Sequence, residues 1–319
     1  MRKQGVLLGN GLLRDNPRAK SWSELIGDLA FDLGEPPSGP IPLDLYFDLM
    51  LNKAQTQSND LSKKARLDSK DQLASALKER DVESGLKRYI ASFFNEQSAI
   101  PPRNRDAWNL LMSKKPQVLL TTNYDTRIEL ALSIDDKRIT FDSKLLETAS
   151  YTGTVGKASE NQWLCSIYHC HGSIDAPASI CIGRKDYVRL LTQIERWNDD
   201  HMFKSPNTLD TWYERFLDTD ISIIGLGLGF EELDLWDLIK IRHNHLLTSS
   251  NNEHNRITYF SPRLYGSSLS PVEQARNQAL TALNVAVVEI GGRDYPECYE
   301  RICGTAADMM IESSPAWRY

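Results

Sequence analysis

Two short motifs gather most of the residues able to do chemistry. Thr121-Thr122-Asn123-Tyr124-Asp125 follows the apolar run Val118-Leu119-Leu120, and His169-Cys170-His171-Gly172-Ser173 ends a second strand-like stretch. A carboxamide such as Asn123 can hold another carboxamide or orient a water. An imidazole titrates near neutral pH and can serve as general base. Both motifs stand at the ends of apolar strands, where open α/β sheets bind ligands. Near the N-terminus, Gly9-Asn10-Gly11 also follows a strand, and glycines there let backbone N–H groups approach an anion. Together the three point to a nucleotide site with an Asn and a His at its centre.

Each motif also has a plain structural reading. Asn123 and Asp125 lie at a strand-to-helix junction, where such residues cap helices. Asp125 suits that role; for Asn123, cap and ligand group stand open. His169 and His171 have the parity to share one strand face. A metal pair would need a third ligand at a recognisable spacing, and Cys170 points to the opposite face, so no metal is expected. Either His alone is commonly a hydrogen-bonded core residue; His171-Gly172, at a turn that exposes the ring, is the better catalytic candidate. Gly9-Asn10-Gly11 lacks the full G-x-G-x-x-G spacing because position 14 is Arg, so a simple turn fits it equally. Ile223-Ile224-Gly225-Leu226-Gly227-Leu228-Gly229 runs from a buried strand into a glycine-rich loop, with Glu231, Glu232 and Asp234 at the next helix start. Those acids either complement the helix dipole or bind ribose hydroxyls.

The elements that must position these groups alternate. Strands are expected at 4–8, 118–121, 164–169, 179–182, 220–226, 257–260 and 284–290. Helices are expected at 21–29, 125–132, 186–199, 209–217, 231–247 and from Ser270, which forms a capping box with Glu273 and has Pro271 in the first turn. Ser21 with Glu24 fits a second such box. This order predicts an α/β fold: a doubly wound, mainly parallel, Rossmann-like sheet. Residues 34–42 break regular structure, and 43–112 hold no convincing strand. Within them 52–72 reads as a polar loop plus a solvated helix, and 82–94 as an amphipathic helix ended by Pro101-Pro102. The whole is one domain, 1–319, with a core of 1–36 and 113–319 and a helical insertion at 37–112.

The 319 residues carry a formal net charge of -6, which argues against broad binding to nucleic-acid backbones. No long apolar run spans a membrane and no signal peptide is expected. The five cysteines (165, 170, 181, 298, 303) form no Cys-x-x-Cys pair, so they are read as reduced thiols of a cytoplasmic protein.

In type and order these pieces resemble the sirtuin superfamily, and within it the bacterial sirtuin-like branch linked to phage defence. Sirtuins have Gly-Ala-Gly after the first strand, matched by Gly9-Asn10-Gly11 except in the middle. Their Thr-Gln-Asn-x-Asp is matched by Thr121-Thr122-Asn123-Tyr124-Asp125 with Thr for Gln. Their catalytic His-Gly is similar to His171-Gly172, and their late glycine-rich strand end to Ile224-Gly225-Leu226-Gly227. Ser21-Trp22-Ser23-Glu24-Leu25-Ile26 and Gly183-Arg184-Lys185-Asp186-Tyr187 are similar to the defence branch. The resemblance spans Gly5 to about Ile290. Two features depart: the paired cysteines of the deacylase zinc module are absent, and Leu12-Leu13-Arg14-Asp15 replaces Pro-Asp-Phe-Arg.

The resemblance implies NAD as substrate, no zinc, and hydrolysis of the nicotinamide–ribose bond. It implies that Asn123 positions the nicotinamide or the water, that His171 is the general base, and that Asp125 contacts the nicotinamide end or the cationic ribose. Gly9, Asn10 and Gly11 would receive the pyrophosphate, Thr122 would also bind the cofactor, and Gly225, Leu226 and Ser261 would line the adenosine side. The alternatives are an NAD-dependent protein deacylase and a non-catalytic NAD or ADP-ribose sensor. Family habit further implies a homo-oligomer that works with a HerA-type helicase-like ATPase or an Argonaute.

Overall fold

Along the first strand, Val6 and Leu8 enter one apolar core while Leu7 enters another. That alternation shows both faces of the sheet covered, as a parallel sheet requires. The computed structural model describes residues 3–13, 22–33, 41–64, 70–94, 102–132, 138–141, 149–155, 163–202, 211–230, 232–248 and 255–310. Arg14, Asp15, Ser21, residues 34–40, Pro101 and Glu231 lie outside the described residues.

In chain order the elements are β1 (Gln4–Leu8), α1 (Trp22–Asp32), α2 (Leu43–Lys64), α3 (Lys70–Leu77), α4 (Val82–Ser92), α5 (Pro102–Ser113), β2 (Val118–Thr121), α6 (Arg127–Leu132), β3 (Arg138–Phe141), β4 (Ala149–Val155), β5 (Trp163–His169), α7 (Arg184–Met202), α8 (Trp212–Asp218), β6 (Asp220–Ile224), α9 (Leu233–Thr248), β7 (Ile257–Leu264), α10 (Pro271–Ala282), β8 (Ala286–Gly292) and α11 (Tyr295–Met309). The sheet order is β3-β4-β5-β2-β1-β6-β7-β8. From β5 to β8 every pairing is parallel; β3 and β4 are antiparallel. The six parallel strands follow the doubly wound dinucleotide-binding order, with β1 at the switch point between the two halves. The expected fold class is therefore what the chain adopts.

One face of the sheet is covered by α5, α6 and α11, through Trp108, Leu111, Ile128 and Ile302. The other is covered by α7, α8 and α9, through Leu190, Trp212, Phe216 and Leu238. The helices α1 to α4 build a third apolar cluster of their own around Leu29, Phe47, Leu73 and Leu86, which also takes in Tyr124, Ile180 and Ile182.

Several elements differ from the expectations. The polar stretch after Asn52 does not loop out before Lys64: α2 runs unbroken to that residue, because a polar run without Gly or Pro sustains a helix. Pro102 opens α5 instead of only ending its predecessor, a position where a missing N–H costs nothing. Residues 179–182 form no strand. A 3₁₀ turn at Pro177–Ser179 precedes them, and Ser179 Oγ closes it by accepting from Ser173 N–H (3.0 Å) and donating to Ala176 O (2.7 Å). The strand β6 stops at Ile224 because Gly225 turns left-handed (φ +70°). The strands β3 and β4 and the helix α11 are additions; β3 has only four residues, and β4, rich in Ser, Thr and Gly, gives little apolar strand signal. Among the described residues, no helix is long and apolar enough to cross a membrane.

The stretch Gly183–Tyr187 ties the helical cluster to the sheet. The Asp186 carboxylate accepts from the amides of Ile182 and Gly183 (both 3.2 Å) and pairs with Lys87 of α4 at 2.9 Å. Both side chains are almost wholly buried, 5% and 3% exposed. Removing one partner strands a buried charge, at a cost of about 3–5 kcal/mol. Lys87→Ala should therefore destabilise by that amount in denaturant titration. Lys185→Ala, which breaks an exposed pair with Glu83, should cost less than about 1 kcal/mol. Equal effects of the two would contradict this.

Candidate active site

The C-terminal ends of β1, β2, β5, β6 and β7 open onto one cavity of about 660 Å³. That lies within the roughly 300–1,000 Å³ usual for small-molecule sites. Its wall brings together Asn10, Gly11, Thr122, Asn123, Asp125, His171, Gly225 and Leu226 of the residues singled out from sequence. Gly9 and Ser261 do not reach it. Gly9 is the seam between two loops: a Cβ there would meet Gly225 O and Leu226 Cα at 2.5 Å. The amides of Gly9 and Gly11 are occupied by Ile224 O (2.9 Å) and Gly225 O (2.7 Å). These glycines therefore hold the β1 and β6 loops together, and their N–H groups are not offered to a phosphate. Ser261 is buried within β7, opposite Glu289 of β8, with Oγ 3.5 Å from Arg276 Nη2. Arg276 lines the cavity, lies over the Tyr259 ring at 5.0 Å, and donates to Gly227 O at 2.8 Å.

Asn123 is held by its backbone, leaving its carboxamide to the cavity. Its N–H donates to Thr121 Oγ1 at 3.1 Å, and its carbonyl accepts from His169 Nδ1 at 2.8 Å. Its Nδ2 is buried with no partner. A buried donor left unsatisfied is costly, and such groups mark places where a ligand completes the structure. Asn123 thus offers its carboxamide to the cavity wall and does no capping. The cap is Asp125, whose Oδ1 accepts the N–H of Arg127 (3.1 Å), the first residue of α6. The Arg127 guanidinium also grips both Asp125 oxygens, with Nε at 2.8 Å from Oδ1. Its charge is thereby neutralised by a buried neighbour.

The two histidines diverge. His169 ends β5 and bonds Glu129 of α6 at 2.7 Å. The strand ends there and the chain turns through Cys170 and His171, closed by the Gly172 N–H donating to His169 O at 3.1 Å; Gly172 itself has a φ of +85°, which favours glycine. Strand parity is lost, and His171 swings to α9 instead of sharing a face with His169. Its Nε2 lies 2.9 Å from Asp234 Oδ2 and 3.9 Å from Glu232 Oε2, with the Tyr187 ring packed edge-on at 5.4 Å. Burial alone lowers the His171 pKa. The charge and hydrogen bond of Asp234, aided by Glu232, outweigh it and hold the value above the usual imidazole range. With Nε2–H donated to Asp234, Nδ1 is the ring atom left for a substrate proton.

Asp234 and Glu129 were not singled out as partners of the histidines. Asp234 stands in the first turn of its helix, where an acid reads as a dipole partner. Glu129 is one of two charged residues on a short helix. Only the fold brings them together with residues 63 and 40 positions away.

His171, Glu232 and Asp234 offer donor atoms within 4.8 Å of one another, the geometry a metal ion would need. The Asp234–His171 hydrogen bond accounts for the same cluster. The five cysteines are buried free thiols, and among the described residues they form no metal-binding group.

Residues 117–285 match the family model of the SIR2-like domain. No curated protein matches the chain. The matched stretch exceeds half of the 319 residues and contains Asn123, His169, His171, Asp234 and the Gly225 turn. The cavity at the switch point of a Rossmann-like sheet and this match agree, and the chain belongs to the SIR2-like family of the sirtuin superfamily.

Proposed function

We propose that this protein is an NAD hydrolase that cleaves the nicotinamide–ribose bond and releases nicotinamide and ADP-ribose. Family membership implies an NAD-related enzyme. One observation carries the finer reading: the unpartnered Asn123 carboxamide and the Asp234-backed His171 share one cavity wall.

The reaction fits these groups. The bond from ribose C1′ to the pyridinium nitrogen breaks, and its electron pair neutralises the ring. Water forms the new bond at C1′ and gives up one proton. The transition state resembles the sugar cation of glycoside hydrolysis. Asn123 Nδ2 donates to the nicotinamide carboxamide oxygen or to the water. His171 Nδ1 takes the proton, while Asp234 fixes the tautomer and stabilises the imidazolium, the division of labour seen in His–Asp pairs elsewhere. Asp125, bound to Arg127, holds the Asn123 loop, so the negative field around the ribose cation comes chiefly from Glu232 and Asp234. The absence of paired cysteines argues for water, not an acyl-lysine peptide, as the acceptor.

We extend the reading to biology as the resemblance implies: NAD depletion in anti-phage defence, in a homo-oligomer triggered by a partner such as a HerA-type ATPase or an Argonaute. A monodisperse monomer by light scattering at every concentration would contradict the oligomer.

Asn123→Ala and His171→Ala should each abolish nicotinamide release; Asn123→Ala should leave the melting temperature unchanged, whereas His171→Ala, which strands the buried Asp234, should lower it while the protein stays folded. Full activity in either removes that residue from the mechanism. The base must be neutral to act. The rate should therefore rise with pH along a limb set above the ordinary imidazole value of about 6.5, because Asp234 stabilises the charged ring. Asp234→Asn removes that charge and should move the limb to lower pH; a limb that stays put would show that Asp234 does not tune His171.

A further inference from the structure

His169 takes no part in the chemistry above, yet it is the more completely buried of the two histidines, 0% exposed against 3% for His171. Both ring nitrogens are bonded. Nδ1 lies 2.8 Å from the main-chain oxygen of Asn123, and Nε2 lies 2.7 Å from Glu129 Oε1. A carbonyl oxygen only accepts, so Nδ1 carries a proton and donates it. Glu129 is also 0% exposed and comes from the helix that follows the Asn123 loop. Burial works against a charged His169, but Glu129 and the Asn123 carbonyl together raise its pKa. The bond reaches the residue itself: Thr121 Oγ1 takes the Asn123 N–H on one side, His169 takes its C=O on the other, and only the carboxamide Nδ2 remains unpaired.

We propose that His169 is a positioning residue: Glu129 orients its ring, its Nδ1–H pins the Asn123 carbonyl, and the pinned backbone aims the Asn123 carboxamide at the substrate. The catalytic half of this rests on the NAD-cleaving reading. Misplacing a reacting group by about 1 Å can cost on the order of 100-fold in rate.

The test uses the full chain carrying Glu129→Gln, which keeps a hydrogen-bonding partner for His169 and leaves no buried carboxylate stranded. In that background, His169→Asn retains an N–H donor near the Nδ1 position, whereas His169→Leu retains only bulk. With NAD as substrate, the Asn variant should keep kcat within a few-fold of the background. The Leu variant should lose about 10–100-fold in kcat, with KM changed less than about twofold. Hydrogen exchange over residues 122–126 should stay slow in the Asn variant and accelerate in the Leu variant, at similar melting temperatures. Matching kcat and exchange in the two variants would overturn the proposal and leave His169 a packing residue. If the Leu variant fails to fold, ¹⁵N-histidine spectra of the unsubstituted protein decide: a slowly exchanging Nδ1–H on His169 supports the pin, and a rapidly exchanging one refutes it. If the unsubstituted protein releases no nicotinamide, the proposed reaction fails, while the exchange contrast still decides whether His169 holds Asn123.

Discussion

A carboxylate taken out of water without a partner costs more than a fold of this size can spare. Four nearly buried carboxylates surround the strand ends of this sheet, and each has a basic side chain of its own: Asp125 with Arg127, Glu129 with His169, Asp186 with Lys87, and Asp234 with His171. The pairs have different structural consequences. The first starts the helix behind the cavity, the second fixes the loop that carries Asn123, the third docks the helical cluster, and the fourth supports the proposed base. The same requirement that keeps these charges paired therefore shapes the site.

Sheet topology supplies the other half. Six parallel strands end on one side, and β1 stands where the strand order reverses. The loops after β1 and β6 diverge there, but glycine at positions 9 and 225 lets their backbones touch. The cavity opens beside this seam. Asn123 and His171 reach it from the ends of β2 and β5, which are neighbours in the sheet, so residues 48 positions apart in sequence face one space.

Much of this was legible beforehand, for physical reasons. Buried parallel strands are short apolar runs, and Val118–Thr121 and Asp220–Ile224 announce themselves as such. Ser270 and Glu273 form the capping box that their spacing implies. Asn123 and His171 stood out because polar residues at the ends of such runs lie where open α/β sheets bind ligands. What stayed hidden depends on tertiary contact. Asp234 read as a helix-dipole partner or a ribose ligand, and Glu129 carried no signal, because the histidines they bond lie far away in sequence. The split between His169 and His171 arises because β5 ends at His169 and the chain turns through Cys170 and His171, which strand parity cannot foresee. The β1 glycines looked like phosphate ligands because sequence does not show that Ile224 and Gly225 already take their amides.

The central claim is that this cavity breaks NAD with water alone. The most direct measurement is a chromatographic time course of the purified chain with NAD, run across protein concentrations, with and without an acyl-lysine peptide. The account predicts nicotinamide and ADP-ribose in equal amounts, at a rate the peptide does not change. Nicotinamide formed only with the peptide, or NAD left intact at every concentration while binding Asn123→Ala as tightly as the unsubstituted protein, would contradict it.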